Sequence, residues 1–261
     1  EWLKENKVPG ICNIDCRCLT KILRESKTTI YGIIEINQEF PYMSLDMSSI
    51  VKTVSRNKPF TLYNINPENL IDNNYKIICY DLGIKNNIIR SLLKYDNIQL
   101  KLVPYNYIID EEEFETISGI FLSNGPGDPQ DCVETIELLK KYFEKNKPIF
   151  GICLGHQLMA LASGASTRKM KYGNRGCNQS VINCENSNCY VTSQNHGYEV
   201  DASTLNEEWR EYFINLNDYS NEGIIHKTKP FFSCQHHPEA CPGPFESEFL
   251  FNKFINIVKN N

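Results

Sequence analysis

The residue best placed for chemistry is Cys153, set between Gly151 and Gly155 in PIFGICLGHQLMALASGA, residues 148–165. Gly-x-Cys-x-Gly at the junction of an apolar run, PIFGI, and a helix-like run, CLGHQLMALASGA, suits a nucleophile elbow, because small flanking residues let the chain turn sharply. That turn would lift the Cys153 side chain above a sheet. The helix N-terminus beneath it favours thiolate, lowering a pKa that is ordinarily about 8.5. A buried structural thiol beside two turn glycines has the same local spelling, so distant segments must decide.

One such segment is QHHPE, residues 235–239, which follows the apolar stretch PFFSC. In an extended chain residues two apart point to one side, so His237 and Glu239 can interact while Pro238 keeps the backbone out of a helix. Glu239 would set the imidazole tautomer, and His237 would serve as base and acid to Cys153. His236 is the weaker candidate base, since it should point to the opposite face. A second segment is SNGPGDP, residues 123–129, a tight loop able to aim backbone N–H groups at one point. The amides of Gly127 and Leu154 together would make an oxyanion hole.

These segments need a scaffold that brings strand ends together. From Tyr75 the chain alternates strand-like and helix-like runs: YKIICYDLG, KNNIIRSLLKY, IQLKLVPY, EEEFETI, GIFLSNGPGDP, CVETIELLKKYFEKN, PIFGI and CLGHQLMALASGA. This pattern predicts an α/β fold with a doubly wound, mostly parallel sheet and ligands at the strands' C-terminal ends. The acidic run Asp110–Glu115 reads as a solvated helix start. After Ala165 the chain turns β-rich, through CNQSVINC, NCYVTSQNHGYEVD, REYFINLND, EGIIHK and FFSCQHHPE, and closes with a helix, ESEFLFNKFINIVKN. An additional mixed β region is therefore expected. Residues 1–36 read as a polar helix, a short strand around GICNID, a helix CLTKILRES and a strand TIYGIIEI, a partial α/β domain. Residues 37–74 read as one amphipathic helix in a loop-rich connector. The expected division is 1–73 and 74–261.

Composition narrows the partners. At 261 residues with 41% hydrophobic and 23% charged residues, the chain has the makings of a sizeable core. A net charge of -5 with no dense Lys/Arg run argues against nucleic acid. No apolar run approaches the roughly 18 residues of a membrane span, and no secretory leader is apparent, so a cytoplasmic location is expected. The 11 cysteines are odd in number and scattered, which fits a reducing compartment. Cys12, Cys16 and Cys18, or Cys184 and Cys189, lack the regular C-x2-C pairs of a zinc site, so no metal is expected. His156, beside the nucleophile, is expected to stand behind it or to face the helix, and His196, within NHGY, reads at least as well as a hydrogen-bonded structural histidine as it does as a ligand contact.

Taken together, YDLGIKNNIIRSLL, FLSNGPGDP, FGICLGHQLMALASGA, TSQNHGYEVD and CQHHPEACPGP resemble the class I (triad) glutamine amidotransferases. Within that family they are similar to the glutaminase subunit or domain of carbamoyl phosphate synthetase, and GICNIDCRCLTKILRE resembles the C-terminal part of that enzyme's extra N-terminal domain. The resemblance implies hydrolysis of glutamine to glutamate and ammonia through a Cys153 thioester. Ammonia would pass to a carbamoyl phosphate synthetase large subunit or fused synthetase domain. No cofactor is implied for the glutaminase itself, ATP and magnesium belonging to the synthetase. By matching position, glutamine would be held by Gly125, Gln157, Asn195, Gly197 and Tyr198. His236, Tyr198 and Cys241 depart from the residues more usual there. A serine that contacts glutamine in the family falls in a segment expected to precede Glu1, so weak glutamine affinity is expected of this chain alone. A fused arrangement would favour pyrimidine biosynthesis. The competing readings are a regulatory amidotransferase-like domain with little activity, and a triad amidotransferase of another pathway.

Overall fold

The computed structural model describes residues 1–26, 30, 32–34, 50–64 and 74–261. The chain divides into two compact units, Glu1–Leu45 and Asp46–Asn261. In the first, α1 spans Trp2–Glu5 and α2 spans Cys16–Glu25, the latter capped by Asp15, whose side chain accepts from the Cys18 amide. The strand expected around GICNID is absent, residues 10–15 taking no strand conformation. No described residue of this unit is buried, so Leu19, Ile22 and Leu23 of α2 enter no core among the described residues. Of the strand expected over TIYGIIEI, residues 29, 31, 35 and 36 lie outside the described residues, and 30 and 32–34 are irregular. In the expected connector, residues 37–49 and 65–73 also lie outside them.

The second unit begins earlier than the sequence pattern suggests. It takes in α3 (Ile50–Val54) and β1 (Phe60–Asn64), and β1 pairs antiparallel with β3 (Ile98–Pro104). Part of the expected connector is thus an edge strand. A run of five residues flanked by polar and Pro-containing segments is too short for its periodicity to reveal it. The other strands are β2 (Tyr75–Asp81), β4 (Gly119–Leu122), β5 (Ile149–Ile152), β6 (Ser166–Asn183), β7 (Cys189–Asp201), β8 (Trp209–Asn215), β9 (Asn221–His226) and β10 (Phe231–Cys234). They form one sheet in the order β1-β3-β2-β4-β5-β10-β9-β8-β6-β7. The central run β3-β2-β4-β5-β10 is parallel, and every pairing outside it is antiparallel. The β-rich region therefore extends the same sheet.

Burial explains the layering. β4, β5 and β10 are buried at every position, as parallel strands covered on both faces must be. Side chains of β2 alternate between two cores. Ile78 and Tyr80 meet α5 (Glu111–Thr116), α6 (Val133–Phe143) and α7 (Leu154–Ala162), whereas Ile77 and Cys79 face α4 (Asn86–Leu92) and α8 (Phe249–Asn260). Phe150 stacks on Phe232 at 4.5 Å, and Phe121 stacks on Phe251 at 6.3 Å, tying α8 to the sheet centre. Asp110 caps α5 by accepting from Glu113 N at 2.8 Å, so the acidic run is a helix start. The C-terminal ends of β2, β4, β5 and β10 line one edge, and each is followed by a segment with chemical potential.

Candidate active site

The elbow is built by two close approaches. A Cβ on Gly151 would lie 2.7 Å from the carbonyl carbon of Gly155, and one on Gly155 would lie 2.5 Å from Leu122 O. Only glycine lets β5, β4 and α7 come this near. Between them Cys153 adopts φ 55° and ψ −101°, a strained conformation for a residue with a Cβ. Neighbouring strands hold the strain in place: Cys153 N donates to Cys234 O at 2.9 Å, and Gly155 N to Ser123 O at 3.1 Å. Cys153 is 5% exposed at the head of α7.

His237 and Glu239 do meet, though not in the extended conformation that the two-residue spacing suggested. β10 ends at Cys234, and the following residues bend into a turn closed by Ala240 N to His237 O at 3.2 Å. Pro238 lies inside that turn. His237 Nδ1 and Glu239 Oε1 are 2.8 Å apart, both residues being buried. The charge of His237 acts on the Cys153 thiol, and that of Cys153 on the imidazole. His236 packs edge-on against the Phe213 ring at 5.1 Å, and neither of its ring nitrogens has a hydrogen-bond partner among the described residues.

The electrostatics follow. Burial pushes the Cys153 thiol up, but the charge of His237 and its hydrogen bond to the sulfur, aided by His196, outweigh it and bring Cys153 below its ordinary value. Burial acts downward on His237, while the Cys153 thiolate and the Glu239 carboxylate hold it well above the usual imidazole range. Glu239 would be raised by burial, yet His237 and then Lys85 keep it below the ordinary carboxylate value. A thiolate–imidazolium pair at rest is what a cysteine nucleophile needs.

Lys85 carries no motif that singles it out in the sequence. Its Nζ lies 3.3 Å from His237 Nδ1 and 3.6 Å from Glu239 Oε1, and the neighbouring Asn87 Nδ2 donates to Glu239 O. The available signal is the polar KNN opening a helix at a strand end. Asn124 Oδ1 accepts from Lys85 N at 3.1 Å, lacing the loop after β2 to the loop after β4.

Gly127 sits in that second loop at φ +93°, a conformation open to glycine. Among the described residues the Gly127 and Leu154 amides have no hydrogen-bond acceptor, so both remain free to donate. Burial first, then the Asp128 carboxylate of the same loop, push the Tyr198 phenol up to about 12. Gln157, in the first turn of α7, gives its amide to Tyr198 O and to Gln235 Oε1, both at 2.9 Å. Asn195 is exposed, and Gly125, Gly197 and Tyr198 are half-buried. Of the residues expected to hold glutamine, Gln157 and Tyr198 are thus joined by a hydrogen bond, and a Cβ on Gly125 would lie 2.6 Å from the Leu154 side chain of the elbow helix. His156 is buried with Nδ1 2.9 Å from Ser233 Oγ, and burial, then the charges of His196 and His236, take it down to about 3. Among the described residues no group of His, Cys, Asp and Glu is arranged to hold a metal, and no helix is long and apolar enough to cross a membrane.

Residues 78–257, most of the chain, match the model of the glutamine amidotransferase class-I family. The carbamoyl phosphate synthase arginine-specific small chain of Neurospora crassa is 42% identical over 265 residues, covering 99% of this chain and 57% of that protein. The protein of the same name from Candida albicans is 44% identical over 272 residues, covering 100% of this chain and 62% of the relative. The chain therefore spans somewhat more than half the length of these relatives. Among solved structures, a putative GMP synthase subunit from Thermoplasma acidophilum superposes with TM-score 0.62 at 26% identity, covering 72% of this chain and 96% of that one. A glutamine amidotransferase from Thermotoga maritima, with TM-score 0.54 at 18% identity, shares the fold over 72% of this chain and 84% of its own. By its matched family and the gathering of its motifs at the strand ends, this chain belongs to the class-I glutamine amidotransferases.

Proposed function

We propose that the chain is the glutaminase component of a carbamoyl phosphate synthase, hydrolysing glutamine to glutamate and ammonia for a synthetase partner. The observation that carries this reading is Cys153 on its strained elbow, its thiol held below its ordinary value by the charge of a His237 that is itself 2.8 Å from Glu239. The names of the relatives, small chains of carbamoyl phosphate synthase, support the partner: a large subunit that consumes the ammonia. Those names are arginine-specific, whereas a fused arrangement would favour pyrimidines; the pathway follows from the synthetase supplied, not from residues of this site.

In the proposed reaction the Cys153 thiolate attacks the side-chain carbonyl carbon of glutamine, forming a C–S bond. The oxyanion is met by the Gly127 and Leu154 amides. The tetrahedral species collapses with cleavage of the C–N bond, and His237 gives its proton to the departing nitrogen, which leaves as ammonia. Water then attacks the thioester, His237 takes its proton, and the C–S bond breaks to yield glutamate and restore the thiolate. Glutamine and water are the only reactants, so the half-reaction needs no cofactor. Gly125, Gln157, Asn195, Gly197 and Tyr198 would frame the glutamine. Glutamine hydrolysis by the wild-type chain and Cys153→Ala, each with and without the large subunit, tests the reading. Activity is expected only with Cys153, and an alanine variant that hydrolyses at the wild-type rate overturns it.

A further inference from the structure

Behind the elbow lies a buried polar cluster that the proposed mechanism does not use. His196, on β7, is buried and has an oxygen acceptor at each ring nitrogen: Nδ1 is 2.9 Å from Tyr198 O, and Nε2 is 3.2 Å from Gln194 Oε1. Tyr198 O is a backbone carbonyl and can only accept. The orientation of the Gln194 amide is set from two sides. Thr192 Oγ1 donates to Gln179 O at 2.8 Å, so it must accept from Gln194 Nε2 at 3.2 Å. Asn215 Oδ1 accepts from Asn217 N at 2.8 Å, which turns Asn215 Nδ2 toward Gln194 Oε1 and Glu222 Oε1, at 3.4 and 3.3 Å. Gln194 therefore presents oxygen to His196, and both imidazole nitrogens must carry protons. A buried cation needs a counter-charge. Glu222, 0% exposed, supplies it, with Oε1 3.7 Å from His196 Nε2.

We propose that Glu222 is a positioning residue that keeps His196 doubly protonated, forming with it a second carboxylate–imidazolium pair whose positive end favours the Cys153 thiolate. The inference rests on the glutaminase reading of the site. The link to the elbow is a chain of hydrogen bonds. Tyr198 O accepts from His196 Nδ1 and from Gln157 Nε2, each at 2.9 Å, and Gln157 stands in the turn of α7 that begins just after Cys153. The proton belongs to His196 rather than to the other imidazoles nearby. His236 Nδ1 is 4.0 Å from Glu222 Oε2, but burial, then the charge of His237, take His236 down to about 3. His156 is neutral for the reason given above. Burial acts downward on His196, and Glu222 and then Cys153 more than reverse it. Burial holds the Glu222 carboxyl above its ordinary value, opposed in turn by His196 and Asn215, with Asp218 adding a little to the rise. The groups whose charge reaches Cys153 are His237, His196 and Glu239.

The test is the pH profile of Cys153 alkylation by iodoacetamide, read at that site by mass, in wild type, Glu222→Gln, His196→Asn and the double variant. The midpoint should move up by about half to one pH unit in Glu222→Gln, roughly three- to tenfold slower labelling on the acid limb. The double variant should shift no further than His196→Asn alone. A Glu222→Gln midpoint equal to wild type, or additive shifts, overturns the inference. Nitrogen-15 NMR of histidine-labelled wild type decides the matter even if Glu222→Gln does not fold. Both ring nitrogens of His196, assigned by their loss in His196→Asn, should be protonated near neutral pH, and a single neutral tautomer is the contrary result. Wild type without glutaminase activity, alone or with the large subunit, would refute the glutaminase reading. Active wild type with an unshifted Glu222→Gln profile would refute only this inference.

Discussion

Replacing His237 with asparagine removes the main support of the Cys153 thiolate while leaving the sulfur as buried as before. Cys153 is 5% exposed, so solvent screens the pair little. Unit charges about 4 Å apart at an effective dielectric near 20 attract by about 4 kcal/mol, worth about three pK units. Without that attraction, burial should hold the thiol above its ordinary value, since burial is the largest influence on Cys153. Near neutral pH the thiolate population should fall by roughly a hundredfold or more. The sign is defined by the directions of the two shifts. In wild type the thiolate exists above the lowered Cys153 pKa and disappears as pH falls through it. His237, raised to about 10, keeps the proton it must donate until the pH climbs that far. Glutamine hydrolysis should therefore show a broad plateau between an acid limb set by Cys153 and an alkaline limb set by His237, the two titrating as a coupled pair. Alkylation of Cys153 against pH, followed by mass in wild type and His237→Asn, isolates the acid limb from turnover. A variant that alkylates with the wild-type profile would refute the ion-pair argument.

Two further perturbations separate structure from chemistry. Gly155→Ala would drive a methyl to 2.5 Å from Leu122 O, backbone that cannot swing aside, and should destabilise the fold by about 1 to 3 kcal/mol; a denaturant midpoint matching wild type would show that the elbow is looser than it looks. Lys85→Met removes a cation 3.6 Å from Glu239 Oε1, but the lysine side chain is 47% exposed, so screening limits the loss to about 1 kcal/mol or less. The expected result is up to about a fivefold fall in glutamine kcat with unchanged thermal stability. A fall of a hundredfold would mean that Lys85 contacts the reacting groups.

The local features are legible because their causes are local. Apolar runs such as GIFL and IFGI mark strands buried on both faces, and the alternation of such runs with amphipathic helices identifies the parallel core without reference to distant contacts. Gly151 and Gly155 announce the elbow because a close backbone approach leaves room for nothing larger. The strand β1 is not legible, since five residues with mixed burial have no distinctive period and owe their conformation to pairing with β3. The spacing of His237 and Glu239 points to the right partners through the wrong local geometry. They meet in a turn beyond β10, where the chain direction is set by the sheet and not by the two residues.

Residue order and type alone point to the candidate reactive groups and to the strand ends that carry them: Cys153 after β5, Gly127 after β4, His237 and Glu239 after β10. The polar residues that surround these groups are chosen by the folded sheet. Lys85 reaches His237 across 152 positions of chain, and Glu222 reaches His196 only because strand order folds β7 and β9 toward the same elbow. Each lies in a run the sequence does display, Lys85 in YDLGIKNNIIRSLL and Glu222 in EGIIHK, but nothing in either run marks that residue for its partner. Their roles come from charge compensation in a water-poor interior, a condition that exists only once the sheet has closed around them.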